Sequence, residues 1–224
     1  MTTSAYPAAR GSRVGICILL FSGGRDSTLA AVRLADIGYS LRLLVLTGPT
    51  LVGFEAVQRR LDELASVLPT DTTYYVASPS PVRSEKLGGC FPCQLRGVAA
   101  AVALARTVGA CAVATGYSGY QSGWLEQSPT ATDELRRILA SHQIRLELPV
   151  YNVSSKEGVM RELERRSLQA SSFEQKCIVQ QQNPKLSHNE TFAAISHWTQ
   201  ALNHEISSTA DIFALRGPWP LRSQ

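Results

Sequence analysis

The chain has 224 residues, 44% of them hydrophobic and 18% charged, with a formal net charge of +4. This composition is typical of a folded globular protein and excludes an intrinsically disordered chain. No apolar run reaches the roughly 18 residues of a membrane-spanning helix, and the N-terminal residues lack the apolar stretch of a signal peptide. We therefore expect a cytoplasmic protein without membrane contact, whose mild positive charge permits an anionic partner but does not require one.

Strands and helices are predicted to alternate along the chain. Apolar runs predict strands at residues 14–21, 41–46, 73–77, 112–115 and 144–153. Helical spacing of apolar residues predicts helices at 28–37, 54–68, 94–108, 133–142, 156–166 and 192–206. Pro149 interrupts the last strand, and the Pro- and Trp-rich C-terminal end stays without an assignment. Repeated β–α units of this length predict an α/β fold with a doubly wound, mainly parallel sheet and helices on both faces.

The chain divides into three predicted regions. Residues 1–12 are small and polar and are expected to form a disordered tail. Residues 13–189 contain the alternating elements and are expected to form one domain, and residues 190–224 a short C-terminal helical extension. Ligands of doubly wound sheets collect at the carboxyl ends of the strands, so we expect the site within the central region.

The segment Ser22–Ser27, with the sequence SGGRDS, lies between the first predicted strand and the first predicted helix. A strand that ends in glycines and reopens as a helix directs several backbone N–H groups at one spot. The positive end of the helix dipole lies there too, so the spot favours a phosphate group. Gly23 and Gly24 permit a positive φ and a close approach of the ligand. We call this segment the phosphate loop.

The spacing alone leaves a second interpretation open, in which the segment is only a tight turn and Asp26 or Ser27 caps the helix. The hexapeptide also resembles the SGGxDS pyrophosphate loop of the N-type ATP pyrophosphatases, the PP-loop superfamily. This resemblance implies an adenine nucleotide alpha hydrolase-like fold and AMP-forming chemistry. ATP then adenylates a carbonyl-type oxygen with release of pyrophosphate, and a sulfur or nitrogen nucleophile displaces AMP.

The cysteines supply a second pattern. Cys90 and Cys93 form a C-x-x-C before the Ala-rich helix, and Cys177 lies far downstream. Such a motif is redox-active, metal-binding or structural, and the residues alone leave these interpretations open. Three thiols fall one short of the four ligands of a structural zinc site but suit a [4Fe-4S] cluster with one open iron. Cys17 and Cys111 lie in apolar strands and are predicted to be core residues.

The segment Cys90–Tyr117 resembles a block of the iron–sulfur tRNA thiolases, such as the tRNA 2-thiocytidine synthetases. It contains the C-x-x-C motif, the Ala-rich helix and the strand sequence CAVATG. Those thiolases have a third cluster cysteine late in the domain, and Cys177 occupies a similar place. The resemblance implies that Cys90, Cys93 and Cys177 hold a [4Fe-4S] cluster, with Zn²⁺ as a less favoured occupant.

Two further comparisons widen the range of acceptors. The sequence LPVYNVSSKE at Leu148–Glu157 resembles the 7-cyano-7-deazaguanine synthases, whose four-cysteine zinc knuckle is missing here. The G-H-H-x-x-D motif of the thiolases is replaced by GYSGY at Gly116–Tyr120, which puts any role of that histidine or acid in doubt. A nucleobase, a tRNA or a small molecule is therefore expected as the acceptor.

The resemblance implies a role for individual residues. Those expected to bind ATP are Ser22, Gly23, Gly24, Arg25, Asp26, Ser27, Leu46, Thr47 and Gly116. The candidate catalytic residues are Asp26, Ser27 and Lys156. Asp26 is expected to hold Mg²⁺, which binds one or two carboxylates beside phosphate oxygens. Lys156 either contacts phosphate or only begins its helix.

Sulfur insertion into a nucleobase or tRNA is the favoured function. The nucleophile is hydrosulfide on the open iron of a cluster, or a persulfide relayed through Cys93 or Cys177, which requires a thiolate of lowered pKa. One alternative is amide or nitrile formation with nitrogen as the nucleophile. Another is a non-catalytic nucleotide-binding or cluster-bearing sensor. A sulfur-donor protein and a homodimer are compatible with the sequence.

Overall fold

The computed structural model describes residues 14–79, 90–178, 186–208 and 213–221. The predicted tail at residues 1–12 lies outside this range. Eight strands are described, at Gly15–Leu20 (β1), Tyr39–Leu46 (β2), Leu51–Val52 (β3), Thr73–Pro79 (β4), Ala112–Ala114 (β5), Arg145–Glu147 (β6), Lys176–Cys177 (β7) and Phe213–Pro220 (β8). Six α-helices are described, at Arg25–Asp36 (α1), Phe54–Leu64 (α2), Phe91–Val108 (α3), Pro129–Ser141 (α4), Lys156–Glu164 (α5) and His188–Ser208 (α6).

Six strands form the central sheet in the order β6-β5-β1-β2-β4-β8. The first five are parallel, and β8 runs antiparallel to β4. The central strands β1 and β2 are mostly apolar, with Ser40 and Arg42 as the polar residues of β2, because both faces of a parallel sheet are buried. The chain leaves β1 toward β2 and β4 and then returns to β5 on the other side, so the loops after β1 and β5 diverge. The crevice between them is where such sheets bind ligands.

Two apolar clusters cover the two faces of the sheet. One contains residues of α3, α4 and α6 together with Ile18 and Leu44, and the other contains residues of α1, α2 and α5 together with Leu19 and Leu43. Neighbouring residues of one strand thus enter opposite clusters, as the two-residue period of a strand requires. The predicted doubly wound α/β fold is confirmed.

Two sequence expectations differ from the structure. The strand predicted at 144–153 spans only Arg145–Glu147, because Pro149 has no N–H for the ladder and the chain turns there. The C-terminal end, left unassigned, forms β8 at the edge of the sheet. Pro218 and Pro220 are tolerated there because an edge strand leaves one side without ladder partners. The predicted C-terminal helix is confirmed as α6.

A second, two-stranded sheet pairs β3 with β7 in antiparallel register, and Leu51 lies opposite Cys177. This small sheet follows β2 and therefore lies on the side of the molecule where the parallel strands end. Within the described ranges, none of the helices combines the length and the apolar character needed to cross a bilayer.

Candidate functional site

The phosphate loop connects β1 to α1. Gly24 is the N-cap of α1 and no side chain caps the helix, so the interpretation of Asp26 or Ser27 as a cap is wrong. Both residues lie in the first helical turn, which removes their side chains from the capping position. Gly23 has a φ of +79°, the left-handed region that favours glycine. The loop therefore presents backbone N–H groups and the positive end of α1 to the crevice.

Two hydroxyls brace the loop. Ser22 Oγ accepts a hydrogen bond from the Gly24 amide at 3.1 Å. Ser27 Oγ donates to the Gly24 carbonyl at 3.1 Å and accepts from the Ser22 amide at 3.3 Å. These short local bonds fix the curvature of the loop, and both hydroxyls line the cavity described below.

Asp26 lies at the start of α1 against the loop that follows β5. The Tyr120 hydroxyl donates to the Asp26 carboxylate, with both oxygens at 2.9 Å. Burial raises the pKa of Asp26, whereas the Tyr120 hydrogen bond and the charge of Arg25 lower it and the charge of Glu174 raises it. Asp26 is therefore an oriented carboxylate with a second carboxylate, Glu174, close by.

Gly116 follows β5 and lies directly against the phosphate loop. A Cβ at this position would lie 2.6 Å from the Ser27 backbone nitrogen and 2.8 Å from its Cα. Only glycine allows the ends of β5 and α1 to approach this closely. The structure thus brings Gly116 to the phosphate loop, and its contact with the nucleotide stays a prediction from the resemblance.

A cavity of about 400 Å³ opens beside the loop. Its wall combines loop residues, the ends of β1 and β2, the first turns of α3, the loops after β5 and a segment near residue 174. The lining residues are Leu20, Phe21, Ser22, Gly24, Arg25, Asp26, Ser27, Leu44, Leu46, Leu51, Cys90, Cys93, Gln94, Gly97, Thr115, Gly116, Tyr117, Gln121, Glu126, Gln127, Ser172, Glu174 and Gln175. The cavity has room for a nucleotide or a similar polar ligand.

Cys90 and Cys93 border this cavity at the start of α3 and are exposed. Desolvation by the surrounding protein raises the pKa of Cys90 to about 11, and the charges of Glu126, Cys93 and Cys177 add to this effect. The pKa of Cys93 is raised by desolvation and by Cys177. A persulfide relay requires a lowered thiol pKa, whereas these surroundings shift the pKa of Cys93 upward.

Cys177 lies in β7, where it pairs with Leu51, a residue of the cavity wall. Its effect on the pKa of both other thiols places the three cysteines in one neighbourhood. Across the described ranges, however, no three Cys, His, Asp or Glu side chains converge into a group that could hold a metal ion. Cys90 and Cys93 thus line the cavity, and Cys177 lies beside the wall residue Leu51.

The cavity wall beside the thiols carries polar groups with unfilled hydrogen-bonding capacity. Burial raises the pKa of Glu126, and both amide atoms of Gln94 are buried without a hydrogen-bond partner. The Tyr117 hydroxyl is also buried and unpaired. Native proteins keep few such groups, and they recur where a ligand or water supplies the partner.

Two predicted site residues lie away from the cavity. Lys156 is exposed at the first position of α5, directly after the N-cap Ser155, and it is not part of the cavity wall. The Thr47 hydroxyl shares a 2.7 Å hydrogen bond with Ser78 Oγ instead of facing the cavity. Leu46 does line the cavity, and its carbonyl accepts a hydrogen bond from Gln175 Nε2 at 2.7 Å.

Several wall residues were missed by the sequence analysis. Glu126 lies in a short 3-10 helix at Leu125–Gln127, Glu174 and Gln175 lie in an irregular segment, and none of them has a motif around it. The bond between Tyr120 and Asp26 joins residues 94 positions apart. Its one sequence signal was the GYSGY segment standing where the thiolases have a polar motif.

No family model matches the sequence, and neither does any curated protein. Among solved structures, the chain is similar to a 4-thiouridine synthetase in complex with RNA and ATP, with a TM-score of 0.55 and 15% identity. The match covers 92% of this chain and 55% of the synthetase chain. The chain therefore spans little more than half the length of that synthetase.

Two other solved structures have a TM-score of 0.50 with the chain. The U34-tRNA thiolase NcsA from Methanococcus maripaludis, solved with its [4Fe-4S] cluster, is 10% identical over 87% of this chain and 71% of that chain. The NMN synthetase from Francisella tularensis is 13% identical over 86% of both chains. The chain therefore has the adenine nucleotide alpha hydrolase-like fold that these enzymes share, as predicted.

Proposed function

We propose that this protein is an AMP-forming PP-loop enzyme that adenylates a carbonyl-type oxygen and then replaces that oxygen with sulfur. The observation that carries the proposal is the placement of the phosphate loop at the crevice between β1 and β5, on the wall of a cavity that also contains two thiols. The part of the wall formed by the phosphate loop, which we call the loop end, suits a polyphosphate. The part around Cys90 and Cys93, which we call the thiol end, suits sulfur chemistry.

The first step uses the loop end. The acceptor oxygen attacks the α-phosphorus of ATP, the bond to the bridging oxygen of the β-phosphate breaks, and pyrophosphate leaves. The loop amides with Ser22 and Ser27 hold the leaving pyrophosphate, because N–H groups at a helix start favour an anion. Asp26 would hold Mg²⁺, which would neutralise negative charge on the phosphates, and the nearby Glu174 carboxylate adds negative charge that a cation would offset.

The second step uses the thiol end. A sulfur nucleophile attacks the activated carbon, the carbon–oxygen bond to AMP breaks, and the loss of a proton from sulfur leaves the thiocarbonyl product. Three thiols, Cys90, Cys93 and Cys177, are the number that a [4Fe-4S] cluster with one open iron would use, and that iron would supply a site for the sulfur. Their side chains do not converge on one point in the described ranges, so the cluster would require them to move together. Zn²⁺ fits less well, since a structural zinc site needs a fourth ligand.

An RNA base is the acceptor that we favour. The 4-thiouridine synthetase of similar fold was solved with RNA and ATP, and the NcsA thiolase carries a [4Fe-4S] cluster. The unpaired Gln94 amide and the Tyr117 hydroxyl on the cavity wall supply hydrogen-bonding groups for a base. A sulfur-donor protein and a homodimer remain predictions from the sequence.

The test combines metal analysis with a thiolation assay. Protein purified without oxygen is analysed for iron, acid-labile sulfide and zinc, and is then incubated with total tRNA, ATP, Mg²⁺ and sulfide. We expect about four iron and four sulfide per chain and new thionucleosides in the digested tRNA. Cys177→Ser should lose both. Cys111→Ser is the matched control, since Cys111 lies by the first residues of β1 at the opposite end of the strand from the phosphate loop. AMP formation without any sulfur product would overturn the sulfur step.

Nitrogen chemistry is the second candidate. The NMN synthetase matches this chain over an equal share of both lengths, and the described residues hold no ready metal group. This alternative predicts that ammonia replaces sulfide as the co-substrate and that Cys90 and Cys93 are dispensable. Ammonia-dependent AMP formation by the Cys90→Ser, Cys93→Ser variant would select it.

A further inference from the structure

The segment at residues 169–178, which we call the strap, runs from the end of α2 across the phosphate loop to β7. Its start is held by Arg60, whose side chain is fully buried. Arg60 Nη2 donates to the carbonyls of Gln169 at 3.0 Å and Ser171 at 2.5 Å. The guanidinium also stacks over the Phe173 ring at 4.4 Å. The Arg60 side chain thus contacts three residues of the strap.

Glu63 completes this grip. One carboxylate oxygen of Glu63 forms a salt bridge with Arg60, and the other accepts a hydrogen bond from the backbone N–H of Gln169 at 2.6 Å. Burial lowers the pKa of Arg60, and the charge of Glu63 opposes that shift. A buried ion pair is weak as a source of stability, because desolvation offsets much of the attraction. We therefore expect the Arg60–Glu63 ion pair mainly to fix the position of the backbone that it binds.

The middle of the strap is joined to the nucleotide side of the cavity. The Phe173 amide donates to the Gly23 carbonyl at 3.1 Å. The Phe173 carbonyl lies 2.8 Å from the place where a Cβ of Gly23 would be, so the strap packs directly on the phosphate loop. Two residues later, Gln175 binds the Leu46 carbonyl at the end of β2. A ligand that enters the loop and reaches Leu46 must therefore contact or displace the strap.

The end of the strap carries Cys177. Here the strap becomes β7 and pairs with β3, and the Ile178 amide donates to the Thr50 carbonyl at 2.9 Å. Within its ten residues the strap thus contacts Arg60, the phosphate loop and the end of β2 in turn, and it ends at Cys177. Each contact is within a few residues of the next, so a shift at one of them is passed to the others.

We propose that Arg60 is a positioning residue which, through the strap, couples occupancy of the phosphate loop to the placement of Cys177. The inference rests on the proposed function, since it assumes that ATP binds the loop and that Cys177 serves the sulfur step. Arg60 contacts no ligand in this scheme. It holds the strap in one position. A change at the phosphate loop on nucleotide binding is therefore passed along the strap and stabilises the pairing of β3 with β7.

The test is hydrogen–deuterium exchange resolved to single amides, with and without a non-hydrolysable imido analogue of ATP. The amides of Thr28, Phe173 and Ile178 report on α1, the middle of the strap and β7, because each donates one identified backbone bond. In the wild type we expect the analogue to slow exchange at all three. In Arg60→Met we expect slowing at Thr28 to persist and slowing at Ile178 to disappear, a change on the order of tenfold in rate.

Arg59→Met is the matched control. Arg59 also faces the Phe173 ring, at 5.6 Å, but is exposed, so this variant should behave like the wild type. If Arg60→Met does not fold, Gln175→Leu removes the tie to Leu46 and should weaken the slowing at Ile178. The proposal is overturned if Ile178 does not respond in the wild type while Thr28 does, or if its response survives in the variants. No response at Thr28 would overturn nucleotide binding itself, and this proposal with it.

Discussion

The two ends of the cavity are built in different ways. The loop end consists of six consecutive residues held between β1 and α1 and braced by their own hydroxyls. The thiol end is assembled from Cys90 and Cys93 at the start of α3 and Cys177 on β7, and Cys177 is more than eighty residues from the other two in the chain. A contiguous motif fixes its geometry locally, whereas the thiol end depends on distant elements such as the strap and Arg60.

The electrostatics of the two ends differ in the same way. At the loop, backbone N–H groups and the helix dipole provide a fixed positive potential that needs no titration. At the thiol end, desolvation and neighbouring negative groups raise the pKa of Cys90 to about 11, so the thiol is protonated near neutral pH. The loop is therefore ready for its ligand, while Cys90 needs a further group or a rearrangement to become a ligand or a nucleophile.

The double variant Cys90→Ser, Cys93→Ser separates the two ends most completely. Sulfur incorporation into tRNA should be abolished, while pyrophosphate release stays within about twofold of the wild type because neither thiol takes part in the adenylation step. Thionucleoside analysis and a pyrophosphate assay on the same sample give both values. If both activities fall together, the two ends are one unit and the comparison fails.

Asp26→Asn tests the loop end alone. We expect pyrophosphate release to fall by a factor on the order of 10² to 10³, because the ligand for Mg²⁺ is lost. The ionised carboxylate is disfavoured in the fold, since burial raises the folded pKa of Asp26 above its ordinary value. Protonated Asp26 therefore contributes to the free energy of unfolding at low pH, and this contribution is lost as the pH rises through the pKa of Asp26 in the folded protein.

The neutral Asn should therefore raise the melting temperature at pH 7 by about 1–3 °C. Differential scanning calorimetry at pH 7 checks this rise, with Asp133→Asn as the exposed control. A lower melting temperature would show that Asp26 is required for folding instead of ligand binding.

Gly116→Ala tests the contact between β5 and α1. A Cβ at 2.6 Å from the Ser27 nitrogen must displace the start of α1, and a displacement of this kind costs about 10²-fold in rate. Gly123→Ala is the control, because nothing lies within 4 Å of its Cβ position. Steady-state rates of pyrophosphate release compare the two, and equal rates would separate Gly116 from the site.

Tyr120→Phe should have the smallest effect. It removes the hydroxyl that lowers the pKa of Asp26, so the acid limb of the pH–rate profile should move to higher pH. We expect about a tenfold loss of rate near that limb and a smaller loss at neutral pH. Tyr151→Phe, whose hydroxyl binds the Gln127 carbonyl, is the control. An unshifted profile would mean that Asp26 ionisation does not limit the reaction.

The same contrast explains what the sequence predicts. The phosphate loop, the parallel strands and the helices on both faces follow from local spacing, and the motif around Gly116 predicts a place for it near the nucleotide. Arg60 could not be found in this way, since in α2 it resembles any surface arginine and its partners lie 109 and 111 positions away. The strand β8 was missed because its prolines argue against a strand, and only its place at the sheet edge permits them.

The most direct test of the central claim is the identity of the products of ATP, followed by phosphorus NMR with total tRNA, Mg²⁺ and sulfide. The account predicts AMP and pyrophosphate in equal amounts, formed by the wild type and lost in Asp26→Asn. ADP and phosphate as the products, or equal AMP formation by Asp26→Asn, would contradict it.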